Sequence, residues 1–186
     1  MSWAWSRTAR PFISWHSDVG LMTHSLPAFW AVIPAAGVGA RMAADRPKQY
    51  LQLGGLTILE HSLLCFLDHP RLKGLVISLA VDDPYWPTLP CALDSRIQQV
   101  AGGKERADSV LNALLHLHAN GADDNDWVLV HDAARPNLAR SDLDHLLSEL
   151  KDDPIGGLLA VPAKDTLKRA DANGRVTETV DRSLIW

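Results

Sequence analysis

Apolar positions in this chain fall into short runs that alternate with stretches where apolar residues recur every three or four places. Phe29 to Ile33, Leu72 to Val81, the shorter Arg96 to Val100, Trp127 to Val130 and Ile155 to Val161 are of the first kind and predict strands buried in a sheet. Thr57 to Leu67, the stretch that runs to about Ala119, and Ser141 to Leu150 are of the second kind and predict amphipathic helices. Strands alternating with helices imply a mostly parallel, three-layer α/β sheet.

Punctuation residues fit that reading. Pro34 has no N–H to donate and is expected to stop the first ladder, and Asp82-Asp83-Pro84 ends the second. Tyr85 to Asp94, rich in Pro and Trp, reads as irregular. Thr57 is a candidate N-cap with Glu60 as its capping-box partner, and Ser141 caps a helix whose first turn holds Asp142 and Asp144. Asn173-Gly174 between two β-capable runs predicts a hairpin, so residues from about 163 to 186 form a polar projecting β-arm.

Residues 1–26 carry neither period, and Arg and Ser without an apolar centre exclude a signal peptide. They read as a disordered leader or a start-site artefact, with Met22 the expected start, which leaves residues 27–186 as one domain. The pattern then stops at Trp186 without a terminal helix or polar tail.

Composition narrows the class. A chain of 186 residues that is 47% hydrophobic can bury one sizeable core. A net charge of −4 and a sequence pI of about 6.0 argue against nucleic acid or an anionic membrane as the main partner. Arg41, Arg46, Lys48, Lys104, Arg106, Arg135, Lys164, Lys168, Arg169 and Arg182 nevertheless cluster near the motifs, as a site for small anions would require. Cys65 and Cys91 have neither metal spacing nor disulfide density, which fits a reducing cytoplasm. No apolar run has the length of about 20 residues that a membrane span needs.

The candidate chemistry sits where strands end. After the first run, Gly37 and Gly39 let main-chain N–H groups converge on phosphate oxygens, while Arg41 and Lys48 supply charge. Met42 stands where a dinucleotide fingerprint needs glycine, and Gly39-Ala40-Arg41 lacks the Lys-Ser/Thr of a P-loop. Gly102-Gly103 repeats the strand, turn and helix order, with Ser109 able to offer a hydroxyl to a flat base or to serve only as a helix-start residue. His131-Asp132-Ala133-Ala134-Arg135-Pro136 puts a carboxylate and a guanidinium at a strand's C-terminal end, where open α/β sheets bind ligands. Asp132 and Arg135 could also simply pair with each other. His131 reads as a packed strand-end residue, and His116 and His118 lie on different helix faces.

Pro34-Ala35-Ala36-Gly37-x-Gly39-x-Arg41-Met42 followed by Pro47-Lys48-Gln49-Tyr50 resembles the nucleotidyltransferases. The PKQY form, the Gly-Gly segment and HDAARP are similar to the 2-C-methyl-D-erythritol 4-phosphate cytidylyltransferase family, from about Phe29 to Trp186. The resemblance implies a Rossmann-like nucleotidyltransferase sheet and transfer of CMP from CTP to that alcohol phosphate in isoprenoid precursor synthesis. Arg41 and Lys48 would be catalytic. Pro34, Ala35, Ala36, Gly37, Gly39, Gly103, Arg106, Ser109 and Ala133 would bind nucleotide, and Asp132, Arg135, Thr166 and Arg182 would bind the ribose or the acceptor. Lys104 departs from the family's pattern. Mg²⁺ is the implied cofactor, with no protein ligand named for it. A homodimer formed through the β-arm is the implied assembly. The alternatives are a nucleotidyltransferase with another sugar or polyol phosphate acceptor, and a non-catalytic fragment that binds nucleotide or only dimerises. Because the family's chains run several dozen residues further, with another strand, a helix and a lysine, the 186 residues are expected to be a truncated, poorly stable form with weak CTP binding and little turnover.

Overall fold

A computed structural model of the chain describes residues 26–37 and 46–186. These fall into two compact units, residues 26–151 and residues 152–186.

In the first unit, β1 (Phe29–Pro34) leads to a 3-10 turn at Lys48–Tyr50 and then to a small hairpin of β2 (Gln52–Leu53) and β3 (Leu56–Thr57). This hairpin was not anticipated. Its turn rests on Gly54 and Gly55, at φ 59° and 95°, where a side chain would be strained. Helix α1 (Ile58–Leu67) follows, started by the expected capping box: Thr57 Oγ1 accepts from the Glu60 N–H at 3.1 Å and Glu60 accepts from the Thr57 N–H at 2.8 Å. Next come β4 (Leu72–Leu79), β5 (Ile97–Ala101), α2 (Arg106–Ala119), β6 (Trp127–Val130) and α3 (Arg140–Leu150).

The strands form a parallel sheet in the order β5-β4-β1-β6. Alternate residues of β1 and β4 face opposite ways, as the two-residue strand period requires. Phe29, Ala31, Ile33, Leu75, Ile77 and Leu79 pack with Leu59, Leu63 and Phe66 of α1 and with Leu143 and Leu147 of α3. Val32 and Val76 face the other way, against Ala113 and Leu117 of α2. The result is the three-layer α/β arrangement. Each fully buried Leu, Ile or Phe contributes roughly 1.5–3 kcal/mol, so the central strands carry much of the unit's stability.

Several expected boundaries shift for local reasons. Pro34 does not stop the first ladder, because the bond towards β4 at that point is donated by the Ala35 N–H, which reaches Ser78 O at 2.8 Å. The second strand ends at Leu79 rather than Val81, which is 83% exposed in the turn that follows. Ser141 is not a cap. The helix begins one residue earlier at Arg140 with Ala139 in the N-cap position, and Arg140 is tied to Asp144 at 3.1 Å.

In the second unit, β7 (Lys168–Ala170) and β8 (Val176–Thr179) form the antiparallel hairpin that Asn173-Gly174 predicts, with Gly174 at φ 77°. The expected core strand over Ile155 to Val161 does not form. Those residues enter no ladder, and Ile155, Leu158 and Val161 are 77%, 66% and 63% exposed. An apolar run is not a strand until another backbone satisfies its N–H and C=O groups, and composition does not supply that partner.

Candidate nucleotide site at the strand ends

The C-terminal ends of the parallel strands gather most of the residues expected to bind nucleotide. The chain steps outward from β1 to β4 to β5 and then returns to the other side of β1 with β6, so strand order reverses beside β1. Open α/β sheets bind ligands at such a reversal. Pro34, Ala35, Ala36 and Gly37 leave β1 at this point, while Gly39 and Arg41 lie outside the described residues. Lys48 is exposed, at the start of the 3-10 turn.

The turn bearing Lys48 is fastened from both sides. Gln49, only 5% exposed, donates from Nε2 to Ala35 O at 3.0 Å and to Gly37 O at 3.2 Å. Tyr50 OH donates to Asp83 at 2.8 Å, and the same carboxylate accepts the N–H groups of Tyr85 and Trp86 at 2.9 and 3.0 Å. Burial, then the Asp83 carboxylate, push the Tyr50 phenol well above its ordinary range, so it stays a donor. Its ring lies 5.0 Å from that of Tyr85, over which the Arg46 guanidinium sits at 6.0 Å. The sequence pattern included Gln49 and Tyr50 without giving them a task. Two polar residues in a loop that end up buried would have been the signal, and burial is not legible in a loop.

The Gly-Gly turn touches the β1 end directly. A Cβ on Gly102 would lie 2.1 Å from Ala36 Cβ, and one on Gly103 would lie 2.1 Å from Asp108 Cβ, so both positions exclude any side chain. Ser109 is 3% exposed; its hydroxyl accepts from the Gly103 N–H at 3.0 Å and donates to Glu105 O at 3.2 Å. Its proton is therefore committed, and one acceptor lone pair remains. Ser78 ties the same helix start to β4 by donating to Ser109 O at 2.7 Å.

Past β6, Asp132 joins two segments. Its carboxylate takes Arg106 of α2 at 2.8 Å and Arg135 at 2.8 Å, so the pairing open from sequence is present and extends to the Gly-Gly helix. All three groups keep solvent contact, with side chains 33%, 60% and 77% exposed. Two guanidinium ions on one carboxylate leave a surplus positive charge beside the β1 end, which suits an anion. Ala133 is buried, its carbonyl held by Ser62 Oγ at 3.1 Å. His131 packs edge-on against Phe66 at 5.4 Å, and burial holds its pKa below the ordinary value. His116 bonds Gln98 and His118 lies near Asp124.

Thr166 and Arg182 belong to the second unit. Thr166 is exposed, and Arg182 donates to Lys164 O. No group of three His, Cys, Asp or Glu side chains among the described residues is placed to hold a metal ion.

Comparison with known proteins bears on these features. The sequence model for 2-C-methyl-D-erythritol 4-phosphate cytidylyltransferase matches residues 29–186. A protein of that name from Pseudomonas syringae pv. tomato is 86% identical over 165 residues, which cover 89% of this chain and 70% of that protein. One from Pseudomonas fluorescens is 82% identical over the same span. A crystal structure of a 4-diphosphocytidyl-2C-methyl-D-erythritol synthase superposes with a TM-score of 0.74 at 37% identity, covering 86% of this chain and 71% of that one. The Francisella tularensis 2-C-methyl-D-erythritol 4-phosphate cytidylyltransferase gives 0.68 at 35%, covering 86% and 68%.

Proposed function

The chain belongs to the 2-C-methyl-D-erythritol 4-phosphate cytidylyltransferase family, and from that premise we infer the roles of its strand ends in cytidylyl transfer. The reaction joins CTP and 2-C-methyl-D-erythritol 4-phosphate into the CDP-linked alcohol and releases pyrophosphate. The observation that carries the reading is the meeting of three segments at the sheet's reversal: Ala36 against Gly102, and Arg106 with Arg135 on Asp132.

A phosphate oxygen of the acceptor attacks the α-phosphorus of CTP in line, forming one P–O bond while the bond to the bridging oxygen breaks and pyrophosphate leaves. A phosphate monoester, with a second pKa of about 6, is already mostly dianionic at neutral pH and needs no general base. The chain's work is then position and charge. N–H groups from Ala35 to Gly39 cradle the phosphates, and Arg41 and Lys48 neutralise the charge that develops at the α-phosphorus. The Gly102-Gly103 turn carries the base. With its proton held by Glu105 O, Ser109 has only an acceptor to offer, which suits the 4-amino group of cytosine and repels the 4-oxygen of uracil. Asp132 and Arg135 serve the ribose or the acceptor, and Ala133 offers its backbone to the nucleotide.

Mg²⁺ bound with the triphosphate would supply further charge neutralisation at the phosphates. Thr166 and Arg182 on the β-arm serve the acceptor phosphate of a neighbouring subunit in a homodimer, a role open to a hairpin whose residues are all exposed. No helix among the described residues is long and apolar enough to cross a membrane.

The test is pyrophosphate release with CTP or UTP and each of several alcohol phosphates. Release with CTP and 2-C-methyl-D-erythritol 4-phosphate, far above UTP and above other polyol phosphates, is the expected result. Equal rates with another acceptor would move the substrate assignment. CTP binding without release would identify a nucleotide-binding form.

A further inference from the structure

We propose that Gln49 is a positioning residue for the transfer step, a staple that sets both the nucleotide cradle and Lys48. The inference rests on the cytidylyl transfer reading above. A primary amide has two N–H donors, and Gln49 Nε2 directs both at main-chain carbonyls of the β1 end, Ala35 O at 3.0 Å and Gly37 O at 3.2 Å. No peptide bond among the described residues is cis. In a trans peptide the C=O and the following N–H point in opposite directions, so the Ala35 carbonyl drawn to Gln49 turns the Ala36 N–H away from it. The staple therefore fixes the direction of an N–H group meant for phosphate. It also fixes Lys48, its immediate neighbour, because Gln49 is buried and Tyr50 is anchored separately on Asp83 at 2.8 Å. Of the three residues in the turn, Lys48 alone is exposed, while its two neighbours are buried and bonded.

The chemistry of the amide is specific. Glutamate has the same shape but, ionised, offers no donor and opposes two carbonyl oxygens, and methionine has similar length without polarity. Both Gln49→Glu and Gln49→Met are expected to lower turnover about tenfold or more, the scale of a small misplacement of reacting groups. KM for CTP should rise several-fold, while KM for the alcohol phosphate stays within about twofold, since only the nucleotide cradle is disturbed. Gln49→Glu should recover part of its loss as pH falls from 8 towards 5.5, because a protonated carboxyl can donate one hydrogen bond; Gln49→Met should not recover. A residue serving stability alone would shift the melting temperature without this split or this pH signature.

Hydrogen exchange of residues 35–37, compared with β4, provides a reading that does not depend on turnover. Faster exchange confined to residues 35–37 in Gln49→Met is expected. Wild-type turnover and KM for CTP in both variants would overturn the proposal. If the unaltered chain released no pyrophosphate, the transfer reading would fall, and unchanged exchange at residues 35–37 would then remove the staple as well.

Discussion

In the first unit several polar side chains around the strand ends are buried and bonded to the main chain, whereas in residues 152–186 no residue is buried and order comes from backbone ladders and exposed pairs. Gln49, Ser78, Ser109 and Ser62 each reach main-chain atoms from positions no more than 5% exposed. On the arm, Arg169 pairs with Glu178 and Lys168 Nζ bonds Thr179 at 2.6 Å, all in solvent. Buried hydrogen bonds are costly to break without replacement, while exposed pairs contribute about 0–1 kcal/mol. The described residues of the proposed nucleotide half are therefore preorganised within the first unit, whereas Thr166 and Arg182, proposed to serve the acceptor, lie on an element that owes its geometry to a turn and a ladder. The known relatives are longer, and the chain covers 70% of the Pseudomonas syringae protein.

The largest effect should fall on Lys48, in the first unit. Lys48→Ala is expected to lower turnover about a hundredfold, as removal of one transition-state donor does, with a smaller loss in CTP affinity. Near-normal turnover with collapsed CTP binding would instead make Lys48 a binding residue. Next is Gly102→Ala, whose Cβ would meet Ala36 Cβ at 2.1 Å. Overpacking of that kind costs about 1–3 kcal/mol, so urea unfolding should shift to lower concentration and CTP binding should weaken with it. An unshifted midpoint would show that the two loops separate readily and would break the contrast between the units.

On the arm, Arg182→Ala should raise KM for the alcohol phosphate about tenfold, the worth of one charge-assisted hydrogen bond, and leave KM for CTP unchanged. A matching rise for CTP would place Arg182 in the nucleotide half.

The smallest effect separates the units by pH. His69 is buried, accepts the Arg71 N–H on Nδ1 at 3.0 Å and bonds Asp144 at 2.9 Å. Burial holds its pKa below 6.5 against the opposing pull of Asp144. A base with a depressed folded pKa is neutral in both states above 6.5, but below that value the unfolded chain takes the proton more readily. Stability of the first unit should therefore decline as pH falls through and below about 6.5, with His131 adding in the same direction. Unfolding midpoints between pH 7.5 and 5.5 measure this, and hairpin amide signals from residues 168–179 should stay unaltered across the window. A flat stability profile would show that neither imidazole has a depressed pKa in the folded state.

Much of this was written locally. The Thr57 and Glu60 box, the Asn173-Gly174 turn and the run of β6 are set by residues a few places apart and appear where the pattern puts them, and β1 and β4 depart from it only at their C-terminal ends. Pro34 and Ser141 misled because their local rule was overtaken, by the Ala35 bond to Ser78 in one case and by Arg140 with Asp144 in the other. Ile155 to Val161 misled for a deeper reason, since a strand is a relation between two backbones.

What the sequence determined by itself was the alternation of elements, the glycines that leave room at strand ends, the cations beside them, and the family those motifs share. Only the tertiary structure decided that Gln49 is a buried staple, that the proton of Ser109 is already spent, that Gly102 rests on Ala36, and that Asp132 gathers Arg106 and Arg135. Gln49 with Ala35, Gly102 with Ala36 and Asp132 with Arg106 are brought together by the fold from separate parts of the chain, whereas Ser109 with Glu105 and Asp132 with Arg135 are local pairs that the fold selects. A hydrogen bond's direction and a side chain's burial depend on what lies opposite, and the residue's own neighbours in sequence do not specify that.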